Sequence, residues 1–129
     1  AIDHGGYVLS EAPGDAPRCV LIATGSEVAL AMEAQKRLAA DGVPVRVVSM
    51  PSTSVFDRQD ANYRDQVLPR GVPRVAVEAG VGDYWRKYVG LDGAVVGVDR
   101  FGESAPAGEV FRFFGFTPEN VVQTVRKLL

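Results

Sequence analysis

The sequence predicts a three-layer α/β sandwich with a mostly parallel sheet of about five strands. Three apolar runs, Cys19-Val20-Leu21-Ile22-Ala23, Val45-Arg46-Val47-Val48 and Val75-Ala76-Val77, each hand over to small polar or glycine residues. The tips read Thr24-Gly25-Ser26, Ser49-Met50-Pro51-Ser52-Thr53 and Glu78-Ala79-Gly80. Strands buried on both faces are continuously apolar, and a crossover needs glycine or a capping hydroxyl at its turn. Helix-length stretches separate the runs, so strand and helix alternate for most of the chain.

A short strand is expected at 7–9, after a flexible Gly5-Gly6, and a loop over 10–17, where Pro13, Gly14 and Pro17 cluster. Residues 19–23 form the central strand. Ser26 caps the helix that follows, with Glu27 favourably placed in its first turn. Val28, Ala31, Met32, Leu38 and Ala39 fall in one stripe opposite Glu33 and Arg37, interrupted by Gln35, with Leu30 outside it. Asp41-Gly42 ends that helix, and 45–48 returns to the sheet. Ser52, Thr53 or Ser54 caps a short helix through Phe56-Asp57-Arg58, and a second helix runs over 60–68 to stop at Pro69. Strands at 74–77 and 94–98 flank a helix over 84–89 that Asp83 caps and Gly90 closes. A further helix is expected at 106–114. The last helix is the clearest: Thr117 caps it, Pro118 opens it, and Val121, Val122, Val125, Leu128 and Leu129 share one side. Cys19, Leu21, Ile22, Val47, Val75, Val77, Val96 and Val121 are the expected core.

At 129 residues the chain fits one domain and buries roughly two thirds of its unfolded surface. A net charge of −2 gives no electrostatic reason for a nucleic-acid or anionic-membrane partner. No apolar stretch approaches the ~20 residues of a membrane span, and no signal-peptide pattern opens the chain. The one cysteine, Cys19, lies inside an apolar run and reads as a small buried hydrophobe, in keeping with a reducing compartment. The opening Ala1-Ile2-Asp3-His4-Gly5-Gly6 has little pattern and reads like a segment arriving from elsewhere.

The constellations that carry chemistry are few. Gly80-Val81-Gly82-Asp83-Tyr84-Trp85 begins like a dinucleotide fingerprint, but Trp85 stands where the third glycine would permit close helix–strand packing. The Gly25-Ser26 turn offers helix N–H groups to an anion, although a plain capped turn explains it more simply. His4 is the only histidine, so neither a nucleophile–base system nor a metal cluster can be assembled around it with one cysteine. Asp57, Asp60, Glu78 and Asp83 are carboxylates whose capping and solvation explain them at least as well as acid–base work. Tyr84, Trp85, Tyr88, Phe111, Phe113, Phe114 and Phe116 gather in the second half, as core or as a surface meeting another chain.

Taken in order, several stretches resemble the C-terminal domain of transketolase, of the bacterial type. They are Gly5-Gly6-Tyr7-Val8-Leu9, Ile22-Ala23-Thr24-Gly25-Ser26-Glu27-Val28, Arg46-Val47-Val48-Ser49-Met50-Pro51-Ser52 and Phe56-Asp57-Arg58-Gln59-Asp60. Arg74-Val75-Ala76-Val77-Glu78-Ala79-Gly80, Asp83-Tyr84-Trp85, Lys87-Tyr88-Val89-Gly90, Phe101-Gly102-Glu103-Ser104-Ala105-Pro106 and Phe114-Gly115-Phe116-Thr117 continue the series. His4, Cys19 and Gly108 depart from the family pattern without altering the fold.

The resemblance implies a larger cytoplasmic homodimeric enzyme of the pentose phosphate pathway. It would use thiamine diphosphate and a divalent metal, magnesium or calcium, to move two-carbon ketol units between sugar phosphates. Residues 1–6 would then be a linker from the preceding domain and 7–129 the C-terminal domain, with the strand at 7–9 antiparallel to the rest. The family's catalytic glutamate, active-site histidines, phosphate-binding arginines and cofactor fingerprint lie upstream, and Leu91-Asp92-Gly93 is not that fingerprint. No catalytic, cofactor-binding or metal residue is therefore carried over. The expected role is structural, through contacts with the preceding domains and the second subunit, and the isolated chain is expected to be inactive. The alternative is a regulatory module binding a small anion at the strand carboxyl ends through Gly25, Ser26 and Gly80. A free-standing flavodoxin-like protein is disfavoured by the lack of a phosphate loop.

Overall fold

The computed structural model describes residues 4–25, 27–78, 86–90, 93–97 and 117–129. Five strands form one sheet in the order β1-β3-β2-β4-β5: β1 (Tyr7–Ser10), β2 (Cys19–Ala23), β3 (Val45–Ser49), β4 (Arg74–Glu78) and β5 (Ala94–Gly97). β1 runs antiparallel to β3 at the edge, with Tyr7 opposite Ser49 and an irregularity between Val8 and Ser10. The other pairs are parallel, Ala23 standing opposite both Ser49 and Val77. The expected sandwich with its one antiparallel edge strand is the observed fold.

Helices cover both faces. α1 (Glu27–Ala40) and α5 (Pro118–Leu128) lie on one side; α2 (Thr53–Asp57), α3 (Ala61–Val67) and α4 (Arg86–Val89) lie on the other. Alternate strand residues serve the two layers, as the pleat demands. Leu21, Val47, Val75, Val77 and Val96 pack under α1 and α5, whereas Val20, Ile22, Val48 and Ala76 pack under α2, α3 and α4 with Phe56, Val67 and Tyr88. All eight expected core residues are buried.

The caps follow hydrogen-bond logic. Ser52, one of three candidates, caps α2 by accepting from the Val55 amide at 3.4 Å. Asp60 caps α3 through the Tyr63 amide at 2.8 Å, and Thr117 caps α5 through the Asn120 amide at 3.3 Å. On α1 the buried residues are Ala31, Ala34 and Leu38, while Ala39 is exposed. Leu129 is also exposed, because α5 ends one residue before it. The expected flexibility of Gly5-Gly6 is corrected: both glycines are buried. The helix expected at 106–114 and the caps at Ser26 and Asp83 fall outside the described residues.

Candidate functional site

The strand register puts the ends of β2, β3 and β4 and the start of β1 on one rim of the sheet. From β2 the chain steps outward to β3, then crosses back to β4. The topological switch lies between β2 and β4, the place where open α/β sheets offer a ligand crevice. Gly25 stands there, exposed, with φ at 53°. Its carbonyl accepts from the Val28 amide at 3.3 Å, and the Thr24 carbonyl accepts from the Glu27 amide at 3.0 Å. A Cβ added to Gly25 would lie 4.0 Å from a Glu27 carboxylate oxygen, so an acid stands beside the turn. Ser26 and Gly80, its proposed co-donors, lie outside the described residues, as do Asp83, Tyr84 and Trp85.

The rest of the rim is filled by the chain itself. The Met50 amide donates to the Ala23 carbonyl at 2.9 Å, and the Ser52 amide to the Gly5 carbonyl at 2.9 Å. Tyr63 Oη donates to the Gly6 carbonyl at 2.7 Å, and the His4 ring stacks on Tyr63 with centroids 4.5 Å apart. His4 is thus held in a layered contact rather than in a loose start.

A second polar group joins α2, α3 and α4. Lys87 Nζ lies 2.7 Å from Asp57 Oδ2, and Tyr88 Oη donates to Asp57 at 3.0 Å. Asp57 therefore ties α2 to α4 instead of capping a helix. Burial first, and the hydrogen bond to Asp57 second, push the Tyr88 hydroxyl above its ordinary range. A phenol so shifted stays protonated and serves as a donor, not as a base. Arg74 donates to the Tyr88 carbonyl at 2.8 Å and to the Leu68 and Pro69 carbonyls at 2.9 and 3.2 Å. Burial pulls its guanidinium below the usual range, opposed by the charge of Asp65. A cavity of about 170 Å3 lies among Asp57, Arg64, Asp65, Arg74, Lys87 and Tyr88. Most of the polar atoms around it already bind helix ends and neighbouring side chains.

Arg46 is the residue the sequence reading missed. It lies inside an apolar run, yet its guanidinium meets Glu11 through two bonds of 2.8 Å and donates to the Gln66 and Val67 carbonyls at 2.7 and 3.2 Å. The available signal was an arginine in a strand otherwise buried on both faces, which obliges a partner. Among the described residues no three His, Cys, Asp or Glu side chains stand together as a metal would need.

Comparison with known proteins follows the same lines. Residues 5–117 match the family model described as the transketolase-like TK C-terminal domain. Transketolase 1 of Escherichia coli K12 is 60% identical over 129 residues, covering 99% of this chain and 19% of that protein. The chain thus spans about a fifth of the length of the curated relatives it matches. A transketolase structure from Leishmania mexicana superposes with a TM-score of 0.86 at 47% identity, over 98% of this chain and 18% of that one. A split-gene transketolase, described as an inactive beta4 tetramer, matches with a TM-score of 0.71 at 30% identity, over 98% of this chain and 43% of that one.

Proposed function

This chain belongs to the transketolase C-terminal domain family, and from that premise we propose that it is the closing domain of a transketolase, serving structure and assembly rather than the reaction itself. The observation that carries this reading is the match of residues 5–117 to a C-terminal domain model in a chain that covers 19% of its relatives. Residues 1–6 would lead in from the preceding domain and 7–129 form the domain.

The whole enzyme would be a cytoplasmic homodimer moving two-carbon ketol units between sugar phosphates in the pentose phosphate pathway. Thiamine diphosphate, with its divalent metal, supplies the carbanion chemistry that such transfers need. Its seat would lie in the preceding domains. No helix among the described residues is long and apolar enough to cross a membrane.

The test is an assay of ketol transfer from xylulose 5-phosphate, with thiamine diphosphate and magnesium supplied. The full-length product of the gene should turn over; residues 1–129 alone should not. Turnover by the short chain would refute the structural role, and an inactive full-length product would refute the family role.

A further inference from the structure

The sequence holds two Asp–Gly junctions, Asp41-Gly42 and Asp92-Gly93. At such a junction the side-chain carboxyl can condense with the next amide, because glycine puts no side chain in the way. The glycine nitrogen attacks Asp Cγ, a C–N bond forms, and the carboxyl C–OH bond breaks; the amide proton and that hydroxyl leave as water. A second water opens the five-membered imide at either carbonyl, returning aspartate or leaving isoaspartate, in which the main chain runs through the side-chain carbon. Nothing beyond water takes part. We propose that Asp41-Gly42 is the site of this modification in the folded protein and that Asp92-Gly93 is closed to it.

Asp41 and Gly42 are exposed where α1 ends. Gly42 has φ at 79°, and a Cβ built on it would meet nothing within 4 Å. What holds the junction is the helix end. The Gly42 amide donates to the Ala39 carbonyl at 3.0 Å and the Val43 amide to the Leu38 carbonyl at 2.8 Å, the pairing that a left-handed glycine permits there. Arg126 of α5 pairs with the Asp41 carboxylate. Both restraints must open before the Gly42 nitrogen reaches Asp41 Cγ, yet a helix end opens at little cost and an exposed ion pair adds little more. Gly93 stands in the opposite surroundings, although Asp92 itself lies outside the described residues. A Cβ on Gly93 would come within 2.3 Å of the Val89 carbonyl oxygen and 2.6 Å of the Arg74 carbonyl oxygen. Closing the imide swings the peptide unit ahead of the glycine, and Gly93 has no room to follow. Isoaspartate at position 41 adds a carbon to the main chain at the end of α1. It also shortens the arm that carries the carboxylate to Arg126, so α1 loses one of its ties to α5.

Isotope uptake in the full-length protein tests this. The folded protein is kept at neutral pH in water enriched in heavy oxygen, then digested in ordinary water. Each imide cycle leaves one heavy oxygen, read as a two-dalton gain on the peptide holding Asp41 or Asp92. The Asp41 peptide should gain label about ten times faster than the Asp92 peptide. In urea, with both junctions unfolded, the two rates should agree within about twofold. Arg126→Gln should speed labelling at Asp41 about threefold and leave Asp92 unchanged. Equal rates in the folded protein, or faster labelling at Asp92, overturn the assignment. The folded ratio persisting in urea would trace the contrast to local sequence and overturns it as well. An unchanged rate in Arg126→Gln overturns the part given to the ion pair.

Discussion

Arg46 of β3 and Glu11 of the β1–β2 connection form a two-pronged ion pair, both N–O distances being 2.8 Å. Arg46 has 9% of its side chain exposed and Glu11 34%, so an almost fully buried cation leans on a partly wetted anion. The hydrogen bonds to Arg46 hold the Glu11 carboxyl below its ordinary value of 4.5 despite some burial, with the Ala12 amide helping. A depressed carboxylate favours the fold above its unfolded pKa, and that contribution is lost as pH falls through the folded value. Glu11→Ala should cost about 2 kcal/mol at pH 7, because a buried guanidinium loses its counter-charge. Urea titrations of parent and Glu11→Ala should converge below pH 4.5, where the parent loses the same charge. A difference independent of pH would contradict this account.

Gly5 and Gly14 share a positive φ, 82° and 76°, but differ in their surroundings. Around Gly14 a Cβ would meet nothing within 4 Å, whereas at Gly5 it would strike two backbone atoms. Gly14→Ala should cost about 1 kcal/mol, the strain of the left-handed region alone. Gly5→Ala should cost more and release the arm from α2. Amide exchange at Ser52, whose N–H is bonded to the Gly5 carbonyl, reports that release. Equal exchange in both variants would show that the arm is not seated as described.

Why some of this was legible and some not follows from how far each residue's partner lies along the chain. Cys19–Ala23 and Val45–Ser49 are written as unbroken apolar runs because both faces are covered, and Asp60 and Thr117 act on amides three residues ahead. Gly5-Gly6 reads as flexible because composition alone does not distinguish a glycine chosen for freedom from one chosen for lack of room. Arg46 hides inside its run since Glu11 is 35 residues away. Ala34 and Ala39 exchange places in the α1 stripe because small side chains mark a helix face weakly, and Gln35 decides the packing beside them. Of the anion-site residues Gly25, Ser26 and Gly80, Gly25 alone lies among the described residues.

Gln35 interrupts an apolar stripe because it is the bolt between α1 and the sheet edge. Its amide donates to the Val45 carbonyl at 2.9 Å and the Ser10 carbonyl at 3.2 Å, and it accepts from Ser10 Oγ at 3.0 Å. Gln35→Leu keeps the volume yet removes all of these bonds, and should cost about 2 kcal/mol. Ser10→Ala removes one and should cost about 1 kcal/mol or less. Denaturation of both single variants and the double tests the coupling. Fully additive losses would mean that Ser10 and Gln35 do not act as a unit.

Tyr88 and Asp57 join α4 to α2, and the phenol is the better shielded of the partners, 5% exposed. Tyr88→Phe should destabilise by about 1 kcal/mol, because Asp57 loses a donor but keeps Lys87. Lys87→Ala, at an exposed pair, should cost roughly half as much or less. Thermal melts rank the two; a larger loss at Lys87 would reverse the assignment of the tie to the hydroxyl.

Cys19 turns core packing into an alkaline liability. Its side chain is fully buried in β2, and desolvation pushes the thiol from 9.0 to about 12. The folded state holds the proton more tightly than the unfolded chain does. That preference is fully present below pH 9.0 and is lost as pH rises towards about 12, where the unfolded thiol ionises first. Cys19→Ala should lower stability at pH 7 by about 1–2 kcal/mol through lost packing. The same variant should show a shallower fall in stability between pH 9 and 11 than the parent. In the folded parent at pH 8, a disulfide reagent should react with Cys19 only as fast as the chain unfolds. Immediate labelling would mean that the strand is open to solvent, and the central position of β2 would have to be abandoned.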